Sequence, residues 1–115
     1  MMFIDLKEFR FFIRPGTTDL RKAINGLTIF VQNEMKYDVF SKSLFLFCNR
    51  QRKLLKIVYW DKTGFCLWQK RLEKYRFPWP ETDEEAKELS YDELSMLLSG
   101  IDFFKAHKKL SFSRV

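Results

Sequence analysis

Residues 44–72 decide the fold: Leu44-Phe-Leu-Phe-Cys48, Asn49-Arg-Gln-Arg-Lys53, Leu54-Leu-Lys-Ile-Val-Tyr-Trp60, Asp61-Lys-Thr-Gly64 and Phe65-Cys-Leu-Trp-Gln-Lys-Arg-Leu72. Three short runs rich in aliphatic and aromatic residues are separated by a basic turn and by a turn holding Asp and Gly. That pattern predicts three strands in an antiparallel meander. With four residues in each loop, Cys48 stands opposite Lys53 and Trp60 opposite Phe65. One face then carries Leu44, Leu46, Cys48, Leu55, Ile57, Tyr59, Cys66 and Trp68. The other carries Phe45, Phe47, Lys56, Val58, Trp60, Phe65, Leu67 and Gln69. A one-residue slip in either turn would mix the two sets. Both faces are too apolar for water, so a helix covers each, or a helix covers one and a second subunit the other.

Working outward, Phe9 to Arg14 alternates, with Arg10, Phe12 and Arg14 on one side and Phe11 and Ile13 on the other. This is a short strand, ended by Pro15-Gly16. Leu20, Ala23, Ile24, Leu27, Phe30, Val31 and Met35 come next at helical spacing. They predict an amphipathic helix over 19–35, capped by Thr17 or Thr18, with Asp19 in its first turn. Gly26 inside it costs about 1 kcal/mol against Ala, so another backbone packs closely there or the helix is weak. Downstream, Phe77-Pro78-Trp79-Pro80 cannot continue a central strand and forms a rigid crossing segment. Glu81 to Glu88 reads as an exposed acidic loop. Ser90-Tyr-Asp-Glu93 is a capping box, and Leu94, Leu97, Leu98 and Ile101 mark the apolar face of a second helix ended by Gly100.

A chain of 115 residues is one domain, taken as 1–103, with a basic tail over 104–115. Thirteen phenylalanines supply the apolar area for one core. No apolar run approaches the ~20 residues of a membrane-spanning helix. Residues 1–10 do not read as a signal peptide, so a cytoplasmic location is expected. The net charge of +6 is unevenly spread. Residues 1–80 hold 16 Lys/Arg against 7 Asp/Glu, residues 81–102 hold 1 against 8, and residues 103–115 hold 4 against none. A basic body with an acidic segment points to a polyanionic partner and to a charge contact within or between molecules.

Catalytic chemistry has little footing. Cys48 and Cys66 lack metal-ligand spacing, and His107 is the sole histidine, far from both. The two cysteines read as buried free thiols. Asp5, Asp19, Asp61 and Asp102 fall at separate element ends, whereas metal-dependent cleavage needs acids converging on a cation. No catalytic residue, metal or cofactor is assigned. Phosphate contact is better supported. Arg10, Arg14, Arg21 and Lys22 cluster around the first strand and the start of the first helix. Arg50, Arg52 and Lys53 share a turn, and Lys70, Arg71, Lys74 and Arg76 lie at and beyond the end of the meander. All three tryptophans, Trp60, Trp68 and Trp79, lie among these last groups. Aromatic faces beside cations suit a nucleic-acid surface, and equally an amphipathic hairpin with snorkelling lysines.

Thr18-Asp19-Leu20-Arg21-Lys22 with Asn25-Gly26-Leu27 resembles the opening motif of the small accessory proteins of bacterial insertion sequences of the sixty-six type, whose second open reading frame is called TnpB. Lys56-Ile57-Val58-Tyr59-Trp60-Asp61, Gly64-Phe65 and Lys70-Arg71-Leu72 are similar to that family's central motif. Phe77-Pro78-Trp79-Pro80 and Leu94 to Asp102 are similar to its closing motifs. The likeness runs in order from about residue 10 to 103. Leu20 stands where methionine is usual, and Cys66 where a larger residue is common. The resemblance implies a transposition accessory protein acting beside a separate transposase that holds the catalytic acids. It does not imply the far longer RNA-guided nucleases that share the TnpB name.

Together these readings give an α/β (α+β) domain with a mainly antiparallel sheet, in the order strand, helix, three-strand meander, helix. The expected function is non-enzymatic: binding of DNA, of the transposase, or of both. Arg21, Lys22, Arg50, Arg52, Lys53, Lys70 and Arg71 are the expected phosphate contacts. The rival reading is a protein–protein module whose second helix and acidic approach, Glu81 to Glu93, dock on a basic partner.

Overall fold

The computed structural model describes residues 5–82 and 88–100. Residues 1–4, most of the acidic loop and the tail, including Ile101, Asp102 and His107, lie outside the described residues. Five strands form one sheet: β1 (Arg10–Ile13), β2 (Ser43–Cys48), β3 (Leu54–Asp61), β4 (Gly64–Arg71) and β5 (Glu88–Leu89), in the order β4-β3-β2-β1-β5. β1 runs parallel to β2, and every other pairing is antiparallel. The fold class is therefore α+β, as the sequence indicates. β5, a two-residue strand, has no counterpart in the sequence pattern.

The meander has the anticipated faces, although one loop differs. Trp60 pairs with Phe65, as four loop residues require. Cys48 pairs with Leu55 rather than Lys53. The cause is Asn49, whose side-chain oxygen accepts from the amides of Lys53 at 3.0 Å and Leu54 at 3.1 Å. That Asx-type closure holds two more residues in the loop. A slip of two keeps every side chain on its face, because the strand period is two.

One face buries Phe11, Ile13, Leu44, Leu46, Cys48, Leu55 and Ile57 against Phe77, Trp79, Leu89 and a helix, α2 (Tyr91–Leu98). The other buries Phe12, Phe45, Phe47 and Val58 against Leu20, Leu27, Val31 and Val39. Helical or irregular segments of this chain thus cover both faces. α2 begins with the predicted capping box: Glu93 donates its amide to the Ser90 hydroxyl at 3.1 Å, and Ser90 donates its amide to the Glu93 carboxylate at 2.9 Å. Gly100 comes after it with φ 79°, the left-handed position that suits glycine beyond a helix.

The first helix is much shorter than the periodicity suggests. α1 spans only Ile24–Phe30, continues as a π-helical turn over Val31–Met35, and ends where Lys36 turns left-handed at φ 60°. Its cap is Ala23, which makes no side-chain hydrogen bond, so neither Thr17 nor Thr18 caps it. Residues 17–22 are instead held across the end of the sheet. The Thr18 amide donates to the Cys48 carbonyl at 2.8 Å. Lys56 reaches through the second face and donates its ammonium to the Leu20 carbonyl at 2.7 Å. Leu20 is buried without being helical, which is why the apolar spacing extends beyond the helix. At Gly26, an added Cβ would meet the Lys22 side chain at 3.1 Å, so the close neighbour is a side chain, not another backbone.

The Phe77–Pro80 segment crosses the end of the sheet as a buried strap. The Phe77 amide donates to the Arg52 carbonyl at 2.7 Å, and the Gly16 amide donates to the Pro80 carbonyl at 2.8 Å. Trp79 is 6% exposed, and its indole N–H points between the carbonyls of Arg14 and Gly16, 2.9 Å from each. Trp79→Phe keeps most of the packing but strands those acceptors. It is expected to cost about 1–3 kcal/mol, read as a lowered urea midpoint. An unchanged midpoint would show that the indole hydrogen bonds do not hold the strap.

Candidate nucleic-acid interface

Chain direction places the basic segments. β1 and β2 are parallel, so both finish at the same end of the sheet. β3 starts there, and β4 finishes there. That end therefore receives four segments: residues 14–22 after β1, the turn 49–53, residues 70–76 at and beyond the end of β4, and the strap. Short backbone bonds tie them together: Arg14 amide to Leu46 carbonyl at 3.0 Å, Leu72 amide to Lys53 carbonyl at 2.8 Å, and the strap contacts above. Arg14, Arg21, Lys22, Arg50, Arg52, Lys53, Lys70, Arg71, Lys74 and Arg76 all belong to this end, against Asp19, Glu73 and Glu81. Arg10 does not join them. It begins β1 at the opposite end and forms a two-pronged pair with Glu88 of β5, at 2.8 and 2.9 Å. The opposite end mixes both signs, with Asp5, Glu8 and Asp61 beside Lys42 and Lys62 around one groove.

The expected phosphate contacts differ in how much of their charge is already engaged. Arg21 is 91% exposed but clamps Asp19, its closest approach being 2.6 Å. The Arg21 guanidinium and amide hold the Asp19 carboxyl at a pKa of about 2. Since that value is depressed, the pair persists above the ordinary carboxylate range and is lost only as the pH falls toward 2. Lys22 lies over the Phe30 ring at 5.0 Å. Arg50 is exposed and has no ion-pair partner among the described residues. Arg52 is half-buried, sits at φ 59°, and approaches Glu81 at 3.9 Å. Lys53 is half-buried in the same loop. Arg71 pairs with Glu73 at 3.0 Å. Lys70 turns onto the first face and donates to the Leu98 carbonyl at 2.9 Å, where a cation suits the C-terminal end of α2. Lys74 and Arg76 are exposed.

A cleft of about 610 Å³ opens between Thr17–Arg21 and Asn49–Gln51. It lies between two of the cationic segments. The Thr18 hydroxyl is buried at its wall with no hydrogen-bond partner among the described residues. Arg14 is structural: its guanidinium donates to the carbonyls of Pro15 and Thr17 and covers the Phe30 ring at 5.1 Å. The tryptophans are not part of this charged surface. Trp79 is buried in the strap and Trp68 is half-buried on the first face. Trp60 is at the opposite end, edge-on to Phe65 at 5.0 Å and to Phe40 at 5.1 Å.

Among the described residues no three His, Cys, Asp or Glu side chains gather to hold a metal. Asp5 and Asp61 are at the end opposite Asp19. The Cys48 thiol is buried, and burial pushes its pKa up to about 12, so it stays protonated and unreactive. Cys66 is half-buried, and both cysteines are free. No helix of the described residues is long and apolar enough to cross a membrane.

The family described as IS66 Orf2 like protein matches residues 9–108. Among curated proteins, the uncharacterized protein y4hO of Sinorhizobium fredii is 40% identical over 97 residues, covering 84% of each chain. The uncharacterized protein y4jC of the same organism is 29% identical over 103 residues, covering 90% of this chain and 88% of its own. No solved structure matches this chain. With nearly its whole length matched, the chain belongs to the IS66 Orf2-like family of insertion-sequence proteins.

Proposed function

We propose that this insertion-sequence accessory protein is a non-catalytic DNA-binding protein, and that the cationic end of its sheet contacts the phosphate backbone. The observation that carries this reading is the convergence of three basic segments, distant in sequence, on one end of one sheet. The other end carries balanced charge. Surface lysines and arginines scattered for solubility would have no reason to segregate in this way. Phosphate contacts position a protein on DNA and carry no sequence information by themselves. The proposed role is therefore holding or bridging element DNA beside a separate transposase.

The contacts that fit best are Arg21 and Arg50, which line the cleft, with Lys22, Arg52, Lys53 and Arg71 on the segments of the same end. Lys70 belongs to the same end, but its ammonium is committed to α2. Within the acidic stretch favoured by the protein-docking reading, Glu88 is engaged with Arg10 and Glu93 with the helix cap. This leaves that stretch less charge to offer a partner.

Binding to random duplex DNA should fall steeply with salt. Replacing Arg50, Arg52 and Lys53 together with Gln is expected to lower the log–log salt slope by about 3. Lys62→Gln, at the other end, should leave it unchanged. Equal slopes for wild type and the triple variant, with both folded by circular dichroism, would remove the turn from the interface.

A second measurement uses the Asp19–Arg21 pair. Asp19→Asn keeps an acceptor for the Arg21 amide while removing a negative charge from the surface. With Arg21 released and an acid removed from the surface, low-salt affinity for duplex DNA is expected to rise severalfold. Weaker binding by the variant would show that Arg21 faces no phosphate.

A further inference from the structure

β4 is the last strand in the sheet order, and among the described residues no strand pairs with its outer side. Its hydrogen-bonding phase is fixed by two contacts. Asp61 and Gly64 close the tight turn, and the Leu72 amide donates to the Lys53 carbonyl at 2.8 Å. Inward and outward residues alternate in an antiparallel ladder. The backbone groups of Phe65, Leu67 and Gln69 therefore point away from β3. The strand is eight residues long. Exposed edges are usually blunted by short length, proline, a bulge or a charge. Residues 65–69 contain no proline and no charge, and their register with β3 is unbroken. Phe65, Leu67 and Trp68 are only half-buried, so both faces of this edge present apolar surface.

We propose that β4 pairs antiparallel with β4 of a second copy of this chain, extending one sheet across a two-fold axis. An outward row of N–H and C=O groups selects another strand, and the antiparallel arrangement is complementary to itself. Centred on Leu67, it places Leu67 against its own counterpart, Phe65 against the second copy's Gln69, and Trp68 against the second copy's Cys66. Lys70 then lies opposite the second copy's Gly64, which has no side chain, and Asp61 is next in that row on β3. Lys70 of each strand thus comes to the Asp61 side of the other's turn, and among the paired strand residues no like charges are opposed. Two-fold pairs of this kind are the commonest oligomers. The chain's own tail is a poorer occupant. Residues 103–115 carry four Lys/Arg and no acid, and the route from Leu98 starts beside Lys70.

Sedimentation equilibrium of the full chain, combined with amide hydrogen exchange, tests this pairing. The expected mass at high concentration is that of two chains. The amides of Phe65, Leu67 and Gln69 should exchange slowly there and speed up on dilution. Gln69→Pro removes one outward N–H at an exposed position and leaves the bonds to β3 in place, so it should weaken self-association by about tenfold or more. Gln69→Ala should dimerise as wild type does. A chain that stays monomeric, with rapid exchange at those three amides, overturns the proposal. Protection of the same amides in a chain that sediments as a monomer assigns the edge to the tail and overturns it equally. Should Gln69→Pro fail to fold, the wild-type mass and exchange rates decide alone.

Discussion

The parallel pairing of β1 with β2 brings residues 14–22 to the end of the sheet where the other described basic segments lie. A parallel neighbour cannot be reached by a tight turn, so the chain leaves β1, crosses the second face through α1, and returns to the far end of the sheet. Both strands then finish at one end. Because β3 and β4 alternate in direction, the 49–53 turn and the exit from β4 are brought to that same end. An antiparallel β1 would have sent Arg14, Arg21 and Lys22 to the end occupied by Lys42, Asp61 and Lys62. The charge segregation is thus a consequence of topology as much as of composition.

The strap secures this arrangement. Proline at 78 and 80 prevents another strand, so the segment crosses the sheet end instead. Its backbone and the Trp79 indole satisfy carbonyls and amides from residues 14–16 and from Arg52 that would otherwise be left at a strand end. The cationic loops are therefore mounted on a rigid base, although they are loops. A pre-formed surface suits phosphate recognition, since less ordering entropy is lost on binding.

Much of this is legible in the residues, for identifiable reasons. Period-two alternation specifies the two sheet faces, and the Asn49 loop cannot spoil them because its extra length is even. Ser90 and Glu93 form a cap that local chemistry alone specifies. The length of α1 is not legible. Leu20 fits a helical spacing but is buried by a loop held by Lys56 and Cys48, contacts that exist only in the folded chain. β5 is too short for any periodicity, and the parallel direction of β1 leaves no local trace. For the site, the residue types are readable but their availability is not. Nothing in sequence shows that Lys70 is committed to the end of α2, that Asp19 occupies Arg21, or that Arg10 lies at the opposite end of the sheet.

The proposed DNA-facing surface is one end of the sheet, assembled from separate segments. It is tested most directly by titrating duplex DNA into the isotope-labelled protein and tracking backbone amide resonances at two salt concentrations. Salt-sensitive shifts confined to residues 14–22, 49–53 and 70–76 are expected, with residues 38–42 and 61–64 unmoved. Shifts centred on the 38–42 and 61–64 end, or none at any salt concentration, would rule this surface out.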